Sequence, residues 1–387
     1  MNRKKSRYRK TQTNVPSPVV AATGATRPMT IRVAWDGHEQ IIADTPLRCK
    51  IPMAGTRKAM ASGTFPSPMD LFVASLGGCP SHEILTILQE RKKTPVHLAV
   101  TVEGTRRDTL PTIFTKIHVT FTLAGDIDDT IAREVIDDVM TLRCPVAVSF
   151  AKATELTWEY RIIPVVSLHP AHSPAASPTG DRDFNREAAT WDEDPGKVNV
   201  ARELARAIIG TIKPGNGMDV LDFGAGTGLV TLALQPRVRT ITAVDSAQGM
   251  LDILDAKVRA QGMANVRTLR GDPDLSGLPR GAFDVAISSL TLHHIRDIRM
   301  LLDQLARVLK PSGRIAIADL DPENGKFHDT NDGVFHHGFD RQEMRKCFEA
   351  AGFCDMEDRT AIIIQKPGPA GTVQGFPVFL MTGTKQG

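Results

Sequence analysis

The feature that most constrains this chain is a glycine-rich segment at residues 220–228, which reads VLDFGAGTG. Its apolar residues up to Asp222 predict a buried strand. The glycines that follow at alternate positions would let the backbone turn tightly, with no Cβ atom in the way of a large ligand. A nicotinamide or flavin fingerprint would place Gly or Ala at the position where this chain has Leu229. The segment therefore predicts a nucleotide-fold loop that differs from a dinucleotide site.

Strand-like and helix-like segments alternate after this loop. The next predicted strand, residues 240–245, ends in Asp245. A carboxylate at the end of the second strand can accept hydrogen bonds from both hydroxyls of a ribose, so Asp245 is the candidate ribose ligand. Because strand and helix alternate, we expect a parallel sheet that is covered on both faces. The other predicted elements are strands at residues 266–272, 283–289 and 314–320 and an amphipathic helix at residues 297–309.

Residues 220–320 resemble the class I methyltransferases, a family that includes many small-molecule methyltransferases. VLDFGAGTG resembles the glycine motif of the family, AVDSAQGML its ribose-acid segment and RGDPDLSGLP the loop whose Asp contacts adenine. FDVAISSLTLHHI and LARVLKPSGRIAIAD resemble the fourth and fifth strands with their helix. The resemblance implies an α/β Rossmann-like domain with a mostly parallel seven-stranded sheet, and S-adenosyl-L-methionine as the cofactor.

The resemblance also implies which residues hold that cofactor. The glycines of the loop would approach its methionine moiety, Asp245 its ribose and Asp272 its adenine amino group. The cofactor-binding residues predicted in this way are Asp222, Gly224, Ala225, Gly226, Gly228, Asp245, Ser246, Met250, Asp272 and Ser289.

Two histidine pairs are candidates for acid–base chemistry. Methyl transfer needs a base only when the acceptor must first lose a proton, as a hydroxyl does. His293 and His294 follow the fourth predicted strand, and His336 and His337 lie in the insertion after the fifth. His294 and His337 are the predicted catalytic residues, with a cap or surface loop as the alternative for each pair. No histidine spacing here resembles a known metal site, so the sequence predicts no metal.

The amino-terminal half carries a different pattern, with one cysteine in each of two apolar helical segments. Cys79 lies within a predicted helix at residues 67–88, and Cys144 lies in LRCPVAVSF after a second helical stretch. Residues 96–106 and 113–123 alternate apolar and polar side chains, as strands do. Residues 30–162 resemble the OsmC/Ohr family. The resemblance implies an α+β fold, an intertwined homodimer, and a peroxidatic Cys79 with a resolving Cys144.

One position departs from the hydroperoxidase pattern. The family has a Glu where this chain has Met69, and that Glu holds an arginine that stabilises the reactive thiolate; Asp70 is the neighbouring residue. Arg48, Arg106 and Arg107 are the candidate partners of the thiolate, and the sequence does not choose among them. The alternative is that Cys79 and Cys144 are simply buried small residues.

Composition sets the remaining limits. The 387 residues suggest two domains, and a Pro-, Ala- and Ser-rich stretch at residues 163–183 predicts the linker between them. Five cysteines, an odd number, argue against a disulfide framework and for a cytoplasmic setting. No apolar run suggests a membrane span, and a net charge of +3 does not suggest nucleic acid. The predicted organisation is a basic disordered tail at 1–28, an OsmC-like domain at 29–162, the linker at 163–183 and the methyltransferase domain at 184–387.

The sequence as a whole predicts a fusion of an OsmC-like domain, which forms the homodimer, with a small-molecule methyltransferase. Sulfur or redox chemistry would link the two halves, and this suggests a small thiol or sulfide as the methyl acceptor. Two alternatives stay open. In one, the amino-terminal half is a hydroperoxide reductase that the other half regulates; in the other, the protein senses S-adenosylmethionine without turnover.

Overall fold

The computed structural model describes residues 8–12, 31–35, 37–45, 49–168, 182–368 and 372–387. The chain divides into two compact units, Met1–Ile162 and Ile163–Gly387. Arg48, one of the candidate partners of the thiolate, falls outside the described residues.

The described residues of the first unit form two sheets and four helices. A four-stranded sheet has the order β1-β7-β6-β5, and a separate antiparallel sheet has the order β2-β3-β4. The strands are β1 (Tyr8–Gln12), β2 (Arg32–Trp35), β3 (Gln40–Asp44), β4 (Lys50–Ala54), β5 (Pro95–Arg106), β6 (Phe114–Gly125) and β7 (Glu155–Ile162). The helices are α1 (Arg57–Ser62), α2 (Pro68–Glu90), α3 (Asp129–Asp138) and α4 (Pro145–Ala151), and a π-helical turn, Val139–Arg143, joins the last two.

Helix α2 begins at a capping box and carries the core of the first unit. Ser67 accepts a hydrogen bond from the Asp70 amide (3.1 Å) and donates its own amide to the Asp70 carboxylate (2.8 Å). Leu76, Ile84 and Leu88 on one face are fully buried in a cluster with the side chains of β6. The helix is thus fixed at its first turn by a polar cap and along its length by apolar packing.

The same helix is an exception to the expectation that nothing here could span a membrane. Within the described part of the chain, α2 is the one helix whose length and mean hydropathy of 1.3 would allow it to cross a bilayer. Core helices of soluble domains pass the same test of length and composition, and the buried face of α2 packs as a core helix does. The expectation that the chain does not span a membrane therefore stays a prediction.

Two predicted boundaries differ from the structure. Tyr8–Gln12, inside the predicted disordered tail, forms β1 and pairs antiparallel with β7. Val165–Ser167, inside the predicted linker, forms strand β8 and pairs parallel with a strand of the second unit. Both are edge strands. Pairing at a sheet edge uses backbone groups, so a polar or proline-rich composition does not reveal it.

The second unit is built on one sheet of eight strands, in the order β11-β10-β9-β12-β13-β15-β14-β8. Neighbouring strands from β11 to β13 run parallel, and β15 is antiparallel to both β13 and β14. These strands are β9 (Asp219–Phe223), β10 (Thr240–Asp245), β11 (Val266–Arg270), β12 (Phe283–Ser289), β13 (Leu309–Leu320), β14 (Phe353–Pro367) and β15 (Val373–Lys385). The mostly parallel α/β sheet predicted from the sequence is confirmed, with β8 as an eighth strand beyond the expected seven.

Helices cover both faces of this sheet. Along β9, Val220 packs into one core with Leu204 and Ile208 of α6, and Leu221 packs into the other with Leu305 of α9. The helices are α5 (Phe184–Glu187), α6 (Pro195–Ile212), α7 (Leu229–Leu234), α8 (Gln248–Ala260), α9 (Ile298–Val308) and α10 (Arg341–Ala350), and short 3-10 turns occupy Ala188–Glu193, Gln235–Arg237 and Leu292–His294. Alternate residues of a strand therefore belong to two different cores, as a doubly covered sheet requires.

Candidate functional site

The glycine loop joins β9 to α7 in a conformation that ordinary side chains disfavour. Gly224, Gly226 and Gly228 all have positive φ, at 71°, 54° and 82°. A Cβ atom on Gly224 would lie 2.3 Å from the side chain of Thr291, and one on Gly228 would lie 2.2 Å from Leu254. A Cβ atom on Gly226 would meet no described atom within 4 Å. Two of the glycines are thus required by packing, and the third leaves open space above the loop.

Asp245 meets this loop at the end of β10. One carboxylate oxygen accepts the Gly226 amide (2.8 Å) and the other accepts the Ala247 amide (2.9 Å). Burial raises the pKa of Asp245 above its usual range. Each carboxylate oxygen has a second lone pair, so both can still accept a hydroxyl. The predicted ribose ligand and the predicted glycine loop therefore lie together at the carboxyl edge of the sheet.

Asp222 lies beneath the loop and not at its surface. It is buried, and its carboxylate accepts a hydrogen bond from the Thr231 hydroxyl of α7 (2.5 Å). Burial raises the pKa of Asp222 to about 7, and the nearby charge of Asp245 acts in the same direction. The geometry makes Asp222 a positioning residue that ties the strand to the helix after the loop.

The remaining predicted cofactor residues surround the same edge at different depths. Ala225 packs in a small core with Ala243, and Met250 is buried against Ala247. Ser289 is half-buried at the end of β12, and Ser246 and Asp272 are exposed after β10 and β11. The strand ends bring all of them to one side of the sheet, and a ligand there could reach the exposed ones directly.

Residues 185–192, which no sequence motif marked, contact the glycine loop and α8 at this edge. The Thr227 hydroxyl of the glycine loop donates to Asp192 (2.7 Å), and Asn185 accepts the Gly249 amide of α8 (2.8 Å). Lys257 donates to the Thr227 carbonyl (2.7 Å) and pairs with Asp192. No motif marks this stretch, because its polar residues act through contacts between distant parts of the chain.

The two predicted catalytic histidines lie in different environments. His294 donates from Nδ1 to the Gly333 carbonyl (2.7 Å), and burial lowers its pKa to about 4. His337 is 48% exposed and lies 3.6 Å from the Glu323 carboxylate. His293, the other member of the first pair, is 2% exposed and donates from Nδ1 to the fully buried Asp319 (2.7 Å). Of the two predictions, only His294 belongs to a buried polar cluster.

In the first unit the two cysteines lie in contact. The Cys144 thiol donates to the Cys79 sulfur at 3.2 Å, and neither forms a disulfide. Burial raises the pKa of Cys144 to about 11, so this residue is a thiol near neutral pH. Cys144 also caps α4, where its sulfur accepts the Ala147 amide (3.4 Å). The sequence prediction that these two residues form a pair is therefore matched by their geometry.

The described charged residues that the sequence offered as partners of the thiolate are bonded to other groups. Asp70 is engaged in the capping box of α2. Arg106 donates to the Thr112 carbonyl (2.7 Å) and Arg107 to the Pro111 carbonyl (2.5 Å). Met69, Asp70 and Arg106 line a cleft of about 1030 Å³ beside α2. Within the described ranges neither arginine bonds to a thiol, and Met69 offers no acid that could hold an arginine beside one.

Comparisons with known proteins match both units. A methyltransferase-domain family model matches residues 221–317, and an OsmC-like family model matches residues 61–159. An uncharacterized methyltransferase of Mycobacterium tuberculosis is 34% identical over 147 residues, which are 36% of this chain and 69% of that protein. The chain belongs to the methyltransferase family.

Other relatives are methyltransferases too. An uncharacterized methyltransferase of Schizosaccharomyces pombe is 32% identical over 157 residues, and the YcgJ methyltransferase of Bacillus subtilis is 30% identical over 141 residues. The chain spans about half the length of these two relatives, 55% of each, and the matches cover 37% and 36% of the chain. The solved YcgJ structure aligns over 47% of this chain and 98% of its own, with a TM-score of 0.41 at 21% identity.

These findings confirm the predicted fusion of an OsmC-like domain with a methyltransferase domain. We therefore call Met1–Ile162 the OsmC-like unit and Ile163–Gly387 the methyltransferase unit. Nothing in the comparisons favours the alternatives in which the second unit only regulates or only senses. The predicted cofactor, S-adenosylmethionine, agrees with the family, and the residues present fit it. The open face of Gly226 leaves room for a ligand, and the Asp245 carboxylate beside it offers acceptors for hydroxyls.

Proposed function

We propose that this protein is an S-adenosylmethionine-dependent methyltransferase of small molecules, with a small thiol or sulfide as its acceptor. The observation that carries the cofactor assignment is the Asp245 carboxylate, fixed by the Gly226 amide (2.8 Å) beside the open face of the glycine loop. The proposal includes a cytoplasmic setting, which suits two thiols that lie in contact without a disulfide. It assigns the protein no nucleic-acid substrate.

The residues of this chain would hold the cofactor in position and shield it from water. When bound, the cofactor presents an electrophilic methyl group on a sulfonium centre. The loop and Asp245 would hold its ribose and methionine parts, and the segment with Asn185 and Asp192 would exclude water from the edge of the sheet. His294 is the base that we retain for a hydroxyl acceptor. A thiol near its own pKa needs little help from a base.

The acceptor class rests on the thiol pair of the OsmC-like unit and on the fusion itself. Relatives named for their acceptors include a nocamycin O-methyltransferase and a malonyl-acyl-carrier-protein O-methyltransferase, which act at oxygen. A screen of the purified full chain against thiols, sulfide, phenols and amines tests the assignment. We expect the highest kcat/KM with a thiol or sulfide. Transfer to phenols or amines alone would refute the thiol proposal and leave methyl transfer intact.

We further propose that the OsmC-like unit forms the homodimer. Its largest helix, α2, has only 28% of its most apolar stretch buried. Large apolar side chains are exposed on this helix, at Phe72, and elsewhere in the unit, at Trp35, Met60 and Leu142. Exposed apolar side chains are candidates for an interface, and a second copy of the same unit would offer a self-complementary surface to cover them.

A second activity is proposed for the thiol pair, because the two sulfur atoms lie 3.2 Å apart. Oxidation by a hydroperoxide would convert the two thiols of Cys79 and Cys144 to a disulfide, and the hydroperoxide to an alcohol and water. Arg106 is bonded to Thr112, and Met69 stands where the hydroperoxidases have an acid, so we expect oxidation of this pair to be slow. The proposal is therefore a redox-responsive pair and not a fast peroxidase.

A further inference from the structure

Three histidines of the methyltransferase unit lie together close to the glycine loop. His293 and His294 come from the 3-10 turn after β12, and His328 comes from the loop after β13. One nitrogen atom of each ring lies within 4.8 Å of the corresponding atoms of the other two. We propose that these three imidazoles bind a divalent transition-metal ion, a site that the spacing of the residues in the sequence did not reveal.

Two of the rings are oriented as metal-binding histidines are. His293 donates its Nδ1 hydrogen to the Asp319 carboxylate (2.7 Å), and His294 donates its Nδ1 hydrogen to the Gly333 carbonyl (2.7 Å). Both acceptors can only accept, so each neutral ring carries its proton on Nδ1 and has its lone pair on Nε2. A carboxylate or carbonyl behind the imidazole is the usual second partner of a ligating histidine.

The third ring, that of His328, differs from the other two in the surroundings of its Nε2 atom. Nε2 of His328 is buried and has no hydrogen-bond partner among the residues that the structure describes. Burial of an unpaired polar atom is unfavourable, and a metal ion would satisfy it.

The charges around the cluster are compatible with a cation. Nη1 of Arg182 lies 3.5 Å from Nδ1 of His328, while its Nε and Nη2 donate to the Glu187 carboxylate at 2.7 and 2.8 Å, so the charge of Arg182 is paired. The Asp319 carboxylate is buried directly behind His293. Three imidazoles favour Zn²⁺, Cu²⁺, Ni²⁺ or Fe²⁺ over Mg²⁺ and Ca²⁺, which prefer oxygen ligands.

Such a site would bear on the acceptor. A zinc ion with three protein ligands keeps a fourth position open, and a thiol that binds there loses its proton to solvent. The cluster follows Thr291, whose hydroxyl donates to the Gly224 carbonyl (3.4 Å), so it lies next to the loop that would hold the cofactor. This consequence rests on the proposed function, whereas the metal site itself does not. A bound ion would also occupy the lone pair that His294 needs to act as a base.

Titration of the metal-stripped full chain tests the site without cofactor or acceptor. We expect one Co²⁺ per chain, with the visible absorption of a four-coordinate nitrogen site, and displacement of Co²⁺ by Zn²⁺. His328→Gln should weaken Co²⁺ binding by more than about 100-fold, because loss of an outer-shell partner alone costs about 10–100-fold. His337→Gln, at the exposed histidine of the same loop, is the matched control and should bind as the wild type does. Thermal unfolding of both variants without metal checks that they are folded.

Two results would overturn the proposal. One is equal Co²⁺ affinity in the wild type and in the His328→Gln variant. The other is a thiolate absorption band that disappears in a Cys79→Ser variant, since this would place the ion in the OsmC-like unit. If the chain transfers methyl groups but binds no metal, the metal site is refuted and the proposed function stands. The failures of the two proposals can therefore be told apart.

Discussion

The two units differ in how completely they bury their own apolar side chains. The methyltransferase unit has a sheet covered on both faces, and α9 contributes Leu301, Leu302 and Leu305 to its core with no exposed surface. The OsmC-like unit buries one face of α2 and leaves Trp35 and Leu142 more than 60% exposed, at 63% and 61%. The difference is the one that the proposed homodimer of the OsmC-like unit predicts, because exposed apolar side chains are candidates for an interface and the methyltransferase unit leaves few of them.

The largest expected effect is the loss of the dimer when the OsmC-like unit is removed. A fragment of residues 163–387 should fold as a monomer, and the full chain should have twice the mass of one chain. The fragment must begin at Ile163 and not near residue 180, because β8 pairs with β14 and Val166 is buried in the core. Light scattering measures both masses. A fragment that dimerises as strongly as the full chain would place the interface in the methyltransferase unit.

The thiol pair offers an all-or-none test within the first unit. Stoichiometric peroxide should link Cys79 to Cys144, whose sulfur atoms are already in contact, and Cys79→Ser should abolish the link. Mass spectrometry of unreduced peptides detects it. Cys347→Ser is the control and should leave the disulfide unchanged. If peroxide leaves both thiols free, or oxidises Cys347 as fast as Cys79, the unit is a dimerisation scaffold.

The same Leu-to-Ala substitution, made at a buried and at an exposed position, tests the difference in burial between the two units. Leu305→Ala should lower the free energy of unfolding of the methyltransferase unit by about 2–5 kcal/mol, because Leu305 is fully buried. Leu142→Ala should change the free energy of unfolding by less than about 0.5 kcal/mol at concentrations where the chain is monomeric. It should instead weaken the dimer. Urea unfolding and dilution series measure the two effects, and equal costs for both variants would contradict the comparison.

The buried Asp222 predicts a smaller, pH-dependent effect. Its pKa of about 7 lies above the value of about 3.9 in an unfolded chain. The folded protein therefore keeps this proton where the unfolded chain has lost it, and stability falls as the pH rises from about 4 to 7. In Asp222→Asn this loss is absent, so the variant should gain stability relative to the wild type over that range. Unfolding at several pH values tests this, with the exposed Asp252→Asn as a control; a pH-independent difference would refute it.

The core of the methyltransferase unit was predictable because its signals are local. The segment after β9 carries its glycines at alternate positions, and Asp245 ends the next strand, so both the loop and the acid could be assigned from short stretches. Parallel strands then bring these stretches to one edge without further information. Cys79 and Cys144 were found in a similar way, since each lies in an apolar segment where a thiol is conspicuous.

What could not be predicted depends on contacts between distant residues. Edge strands β1 and β8 are held by backbone pairing, which leaves no mark in composition. The contact between Thr227 and Asp192 joins two stretches that share no motif. His328 lies close to His293 only in the folded chain, because α9 and β13 separate the two residues in the sequence. Asp70 is next to Met69, but it caps the start of α2, which its position in the sequence alone does not decide.

The central claim is that the methyltransferase unit binds S-adenosylmethionine through Asp245, and calorimetry on the full chain tests it most directly. Asp245→Ala should weaken binding by about 1–3 kcal/mol, because the charge-assisted hydrogen bonds to the ribose hydroxyls are lost. Asp252→Asn, an exposed acid on α8 whose partner is Gln248, should bind as the wild type does. Unchanged affinity in the Asp245→Ala variant, or tighter binding of NAD than of S-adenosylmethionine by the wild type, would contradict the account.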